Sequence, residues 1–177
     1  MKHASLLVFL LCTLTLTLAQ NPQIGARKID QLAQKHAKNT FLEYKDFLSI
    51  PNDANIPEQL EPNMLWAEEA FAKRGFSTRR LPTEGLELIL AEKKLEGPAK
   101  TVLFYVQIDG QPVDPSKWYQ PTPFTPVLKE MGENGDWRPI DWKALNGEIN
   151  MDWRIFARSA SDAKGPINMF LLVMDAI

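Results

Sequence analysis

Apolar residues recur at helical spacing through residues 27–48: Ile29, Leu32, Ala33, Ala37, Phe41, Tyr44 and Leu48. The spacing predicts a long amphipathic helix, closed by Pro51, which cannot continue the backbone ladder. Residues 57–62 read as a loop. Asn63 stands where it can cap a second helix over 64–74, with Ala67, Ala70 and Phe71 on its apolar face and Gly75 as its stop. Residues 76–81 and 86–95 read as strands split by 82–85, and Gly97-Pro98 turns into the next element.

That element organises the rest. Residues 101–109 read TVLFYVQID, and Val102, Leu103, Phe104, Tyr105 and Val106 form an unbroken apolar run. A run without alternation predicts a strand covered on both faces, as in a parallel sheet flanked by helices. Polarity then arrives abruptly with Gln107, Asp109 and Gln111, and Gly110 and Pro112 end the strand. Residues 113–150 hold five prolines and three of the five tryptophans, and read as a long irregular reach. Trp118, Trp137 and Trp142 are expected to pin that loop down rather than to wall a substrate site. Residues 153–157 read as a last short strand.

Residues 166–177 look helical and nearly all apolar. A helix apolar all round is expected to be buried on several sides. The core therefore reads as unfinished, as in the N-terminal portion of a longer protein or a chain covered by another. The expected fold class is α/β, with a mixed, largely parallel sheet flanked by helices.

Composition narrows the class. The 177 residues are 45% hydrophobic and 24% charged, as in one globular domain or part of one. A net charge of −2 leaves no basic footprint for nucleic acid. Lys2 and His3 precede an apolar stretch over 6–16, and Thr17-Leu18-Ala19 offers small residues where a signal peptidase reads. Residues 1–19 are therefore expected to be an export signal cleaved after Ala19, leaving 20–177 with no membrane span. The stretch is short for an uncleaved anchor. Leu11, where a small residue is needed, argues against a lipid on Cys12. Cys12 is the sole cysteine, so the mature chain has no disulfide and relies on its core. That pattern fits a bacterial periplasmic or secreted protein.

Two carboxylates carry the candidate chemistry. Asp109 follows the apolar strand, and Asp162 lies in RSASDAKGP, after the last strand and before the last helix. Strand exits are where α/β proteins place their sites. Two carboxylates at neighbouring exits could hold a divalent ion or share a proton, and Asp162 could equally cap the helix that follows. Ser161 and Lys164 match S-x-x-K, the spacing of a serine acyl-enzyme, but Ser-Asp-Asn and Lys-Thr-Gly companions are missing. His36, on the first helix among lysines, reads as a solvated surface residue, and it is the only histidine after residue 19. A two-histidine zinc motif is thereby excluded within the chain.

FYVQIDGQPVDPSKW, then PTPFTPV, then RIFARSASDAKGP opening an apolar helix, together with LSIPND after the first helix, resemble one family. It is the di-zinc peptidases that include carnosinase-like dipeptidases, glutamate carboxypeptidase and acetylornithine deacetylase. The likeness runs in order from about residue 27 to 177.

The resemblance implies a zinc-exopeptidase-like fold, incomplete at its C-terminal end. It also implies hydrolysis of peptide or amide bonds in small peptides or N-acyl amino acids, one or two zinc ions, and a possible homodimer of the full-length protein. Asp109 matches the aspartate that orients a zinc-binding histidine, and Asp162 the aspartate that bridges both metals, whose following peptide bond is often cis. Gln107 stands where that histidine is expected. A neutral amide oxygen is a poorer zinc ligand than imidazole, so the resemblance implies a weakened first metal position. The family's base glutamate, its further carboxylates and its late histidine have no counterpart among the 177 residues, so this stretch alone is expected to be inactive. With Gln107 in place of histidine, a non-catalytic peptide-binding relative is the alternative reading.

Overall fold

The computed structural model describes residues 24–97 and 100–177. The expected export signal and Cys12 lie outside those residues, as does Pro98 of the expected turn. The chain divides into two compact units, 1–32 and 33–177. Among the described residues the first contributes only the beginning of helix α1 (Ala26–Leu48). The second holds the rest of α1 and every later element.

Helix α1 buries Ala37, Thr40, Tyr44, Phe47 and Leu48, one stripe at three- and four-residue spacing. Helix α2 (Leu60–Ala72) starts earlier than the pattern suggests. Pro57–Gln59 forms a 3-10 turn, and Pro62 falls in the first turn of α2, where no backbone donor is needed. Asn63 is therefore not the cap expected of it. It is buried inside the helix, and its side-chain amide donates to Pro51 O at 2.7 Å and Gln59 O at 2.6 Å. Gly75, at φ +78°, adopts the left-handed turn that ends the segment.

Tyr44, Phe47 and Leu48 of α1 pack with Ala67, Ala70 and Phe71 of α2 and with Ile167 and Leu171 of helix α3 (Lys164–Ala176). Phe47 and Trp66 stack with ring centroids 3.8 Å apart. Arg74 ties the three helices at one end, with Nη2 2.7 Å from both Glu43 and Asp175. Burial alone would lower the Arg74 pKa, but the two carboxylates more than offset it and raise it.

The sheets are small and antiparallel. β1 (Ser77–Leu81) pairs with β2 (Leu88–Glu92), from Ser77 opposite Glu92 to Leu81 opposite Leu88. β3 (Val127–Met131) lies between β4 (Trp137–Pro139) and β5 (Arg154–Phe156). The molecule thus mixes helices and strands, but both named sheets are antiparallel where a largely parallel one was expected. Among the described residues the parallel contact is a single bridge, Asp53 to Gly110.

Three expectations change. Residues 101–109 join no ladder, although β1, β2, β4 and β5 each keep an open edge. Val102, Leu103, Phe104 and Tyr105 are exposed rather than covered. An apolar run signals a preference for cover; it does not supply a neighbouring strand. Residues 113–150 are not uniformly irregular, since they contain β3 and β4. Pro126 precedes β3 and Pro139 ends the edge strand β4, positions where proline removes no interior hydrogen bond. Finally, α3 is covered on one side only. Ile167, Asn168 and Leu171 are buried, while Met169, Val173 and Ile177 are exposed. No helix among the described residues is long and apolar enough to cross a membrane.

Candidate functional site

Burial alternates along the end of the apolar run. Val106 and Ile108 are half-buried against the helical core and Gly110 is buried, while Gln107 and Asp109 are exposed. Period-2 alternation therefore puts Gln107 and Asp109 on the same outward side. The inward side is held by Asn52, in the turn that follows α1. Its side-chain amide donates to Ile108 O at 2.7 Å, and its backbone carbonyl accepts from Gly110 N at 2.7 Å. Gly110 O in turn accepts from Ala54 N at 2.9 Å.

The segment bearing Asp162 closes on the same residue. The Ser159 hydroxyl donates to Asn52 Oδ1 at 3.0 Å, a bond buried on both sides. Ser159 has φ +63°, the left-handed region a serine seldom adopts. Gly110 is required here by close approach. A Cβ on it would stand 2.7 Å from Ser159 Oγ and 3.0 Å from both head atoms of Asn52. Next door, Arg158 donates through Nε and Nη2 to Gln111 O at 3.0 and 2.8 Å. The two stretches singled out in the sequence, around 109–111 and around 158–162, are thus stapled side by side.

Lys164 completes the frame from below. It is fully buried, and its ammonium donates to Phe47 O and Ile50 O, both at 2.6 Å, over the face of the Phe47 ring. These carbonyls belong to the last turn of α1 and to Ile50 just after it, and Phe47 O also accepts from Ile50 N at 3.2 Å. Burial without a carboxylate pulls the Lys164 pKa down to about 7. The Tyr44 hydroxyl donates to Ala160 O at 2.5 Å, and burial pushes its pKa up. Lys164 therefore joins α1 to the start of α3, two residues after Asp162. Its engagement with carbonyls also disposes of S-x-x-K, since the amine is not directed at Ser161.

Asp109 and Asp162 are exposed, and among the described residues neither pairs with a cation. The Asp162–Ala163 peptide bond is cis, the isomer named above. Gln107 is exposed beside Asp109 along the chain. Among the described residues no group of three or more histidine, cysteine, aspartate or glutamate side chains is placed to hold a metal ion. His36 is half-buried rather than solvated, and lies on α1. Sequence reasoning missed Asn52, Ser159 and Arg158, and gave Lys164 a different role. Asn52 had one signal, its place directly after the helix-closing Pro51. No family model, curated protein or solved structure matches the chain.

Proposed function

We propose that the chain carries part of the divalent-cation site of an exported, metal-dependent hydrolase acting on peptide or amide bonds in small substrates, dipeptides or N-acyl amino acids. One observation carries the reading. Asn52 bonds at once to the segment that ends in Asp109 and to the segment that leads to Asp162, so two unpaired carboxylates rise from adjoining backbone. Asp162 is the proposed ligand, Asp109 its orienting neighbour, and Gln107 a neutral oxygen donor beside them. A bound zinc supplies water activated at neutral pH and polarises the scissile carbonyl. The donors fit part of such a shell, since catalytic zinc takes three protein ligands. The isolated chain is accordingly expected to bind zinc weakly and to turn nothing over. The largely parallel, helix-flanked sheet belongs to the same reading, with residues 101–109 as an inner strand of the whole catalytic domain.

Gln107 favours a second reading, a peptide-binding relative without catalysis. Zinc titration by calorimetry separates the outcomes. Asp162→Ala is expected to weaken binding by about tenfold or more, and Gln107→His to strengthen it by about as much. Affinity that ignores both Asp109→Ala and Asp162→Ala would remove the metal reading. A tighter site in Gln107→His with an unchanged Asp162→Ala would place the metal elsewhere.

A further inference from the structure

β5 presents its residues alternately to α1 and to the outer face of the sheet. Ile155 stands opposite Leu128, and Arg154 opposite Lys129. Leu128 is buried in one cluster with Ala37 of α1, and Phe41, Trp153 and Ile155 pack against that cluster. Period-2 alternation therefore puts Trp153 and Ile155 on the α1 side, and Arg154 with Lys129 on the other. On the α1 side the helix and the sheet do not close completely, and leave a cavity of about 510 Å³. Trp118, expected from the sequence to pin a loop, stands in its lining.

The lining continues beyond β5 through Ala157 and Ala160 to Ser161, the residue before Asp162. Neighbouring Cα atoms lie about 3.8 Å apart across a trans peptide bond. The cavity thus adjoins the backbone that carries the proposed metal ligand. Its lining holds no aspartate, glutamate, lysine or histidine, and its one arginine, Arg154, belongs to the outer face by register. The Tyr44 hydroxyl is spent on Ala160 O. Ser161 is exposed, and among the described residues its hydroxyl has no partner, so free polarity lies at the Asp162 end.

We propose that this cavity is the apolar subsite of the hydrolase site, taking a large apolar group, aromatic or branched, of a dipeptide or N-acyl amino acid. The scissile bond then lies at the Ser161–Asp162 end. The inference rests on the metal reading for the identity of the site. The chemistry of the wall, rather than its volume, selects the guest. An apolar lining stabilises an apolar group by removing it from water, and offers a charged one no partner. Substrates with small or charged groups beside the scissile bond are correspondingly disfavoured.

Calorimetry with chelator present tests the cavity without metal. N-acetylphenylalanine and phenylacetylglycine carry a ring on opposite sides of their amide, and N-acetylglycine carries none. One ring compound should bind per chain, about tenfold or more tighter than N-acetylglycine. The tighter of the two tells which side of the scissile bond the cavity takes. Trp118→Ala, which removes part of the wall, and Ala157→Leu, which narrows the space, should each abolish the preference. Trp118 is a half-buried loop residue, so its variant decides the matter if Ala157→Leu fails to fold. Manganese added in place of zinc should then speed the relaxation of the bound ring protons in the parent, and not in Asp162→Ala, which should keep the ring preference. No ring preference in chelator, a preference that Trp118→Ala leaves intact, or ring protons unrelaxed by bound manganese would each overturn the proposal. A ring preference in a chain that binds no metal would overturn the metal reading and leave the cavity its guest.

Discussion

Val102, Leu103, Phe104 and Tyr105 lie between 62% and 82% exposed, while Asn52, Ser159 and Lys164 are at 3% or less. The apolar stretch is outside and the polar set inside, a reversal of the usual placement. What separates them is the supply of partners. Asn52 uses its side-chain donor, its side-chain acceptor and its backbone carbonyl, each within 3.0 Å. Lys164 has two carbonyls and an aromatic face. A buried polar group that finds all its partners contributes to the fold, whereas one left unpaired costs about 1–3 kcal/mol. The exposed run has no ladder; Phe104 touches the core's edge, its ring 5.0 Å from that of Phe170, and Val106 and Ile108 pack against the core. Burial in this molecule follows available contacts, and the polar frame sets the position of the two carboxylates.

The strongest break of that comparison is Gly110→Ala. The new methyl would press on Ser159 Oγ and on Asn52, two groups held to each other and to Ile108 O. Neither can swing away without leaving a buried partner unpaired. Overpacking of this kind costs about 3 kcal/mol. Urea unfolding should show a lower midpoint at an unchanged slope, with the product of slope and midpoint falling by that amount. A midpoint within error of the parent would mean that the frame is loose and does not fix Asp109 and Asp162.

Lys164 gives the next largest effect, through pH. Its folded pKa of about 7 lies below the ordinary 10.5, because burial penalises the ammonium. Between these values the unfolded chain binds more protons than the folded one, so stability rises as pH rises from about 7 towards 10.5. It is lost again as pH falls through about 7. The ceiling is about 1.4 kcal/mol per pH unit. The two accepting carbonyls favour the charged form and offset part of it, so a gain of about 2 kcal/mol across the window is expected. Urea unfolding at pH 7, 8, 9 and 10 reads it directly. Lys164→Met should flatten the trend, and a parent already flat would show the ammonium to be well solvated.

The helices were legible in the sequence because their contacts are local. Ala37, Tyr44 and Leu48 of α1, and Ala67, Ala70 and Phe71 of α2, are spaced for one face, and the structure buries them. The β1–β2 pairing follows from two strand patterns around 82–85. β3 and β4 were hidden by their prolines, which mark strand ends rather than an absence of strand. The switch from apolar to polar residues at Asp109 and around Asp162 could be read from the chain. The frame beneath them could not, since Asn52 meets Ile108 and Ser159 across 56 and 107 residues. Neither serine nor asparagine announces such a partner locally. The run at 102–105 misled for the opposite reason: its hydrophobicity is real, but pairing is a property of neighbours.

The smallest effect is expected where hydrophobicity is highest. Leu103 is 82% exposed, so Leu103→Lys removes little contact and should change stability by no more than about 0.5 kcal/mol. A lysine in an exposed apolar segment also discourages its pairing with a strand of another chain. Thermal unfolding and sedimentation at several protein concentrations test both points together. If the parent is a monomer and the variant matches it, the run is open in solution and the contrast with the Asn52 frame stands. A loss of about 2 kcal/mol or more in a monomer would show Leu103 packed against the fold, as for a leucine removed from a core. A stability gap that grows with concentration, with the parent larger than the variant, would show a second chain covering the run. Either result would restore the ordinary arrangement of apolar groups inside, and would leave Asn52, Ser159 and Lys164 as an internal polar frame without an exposed apolar counterpart.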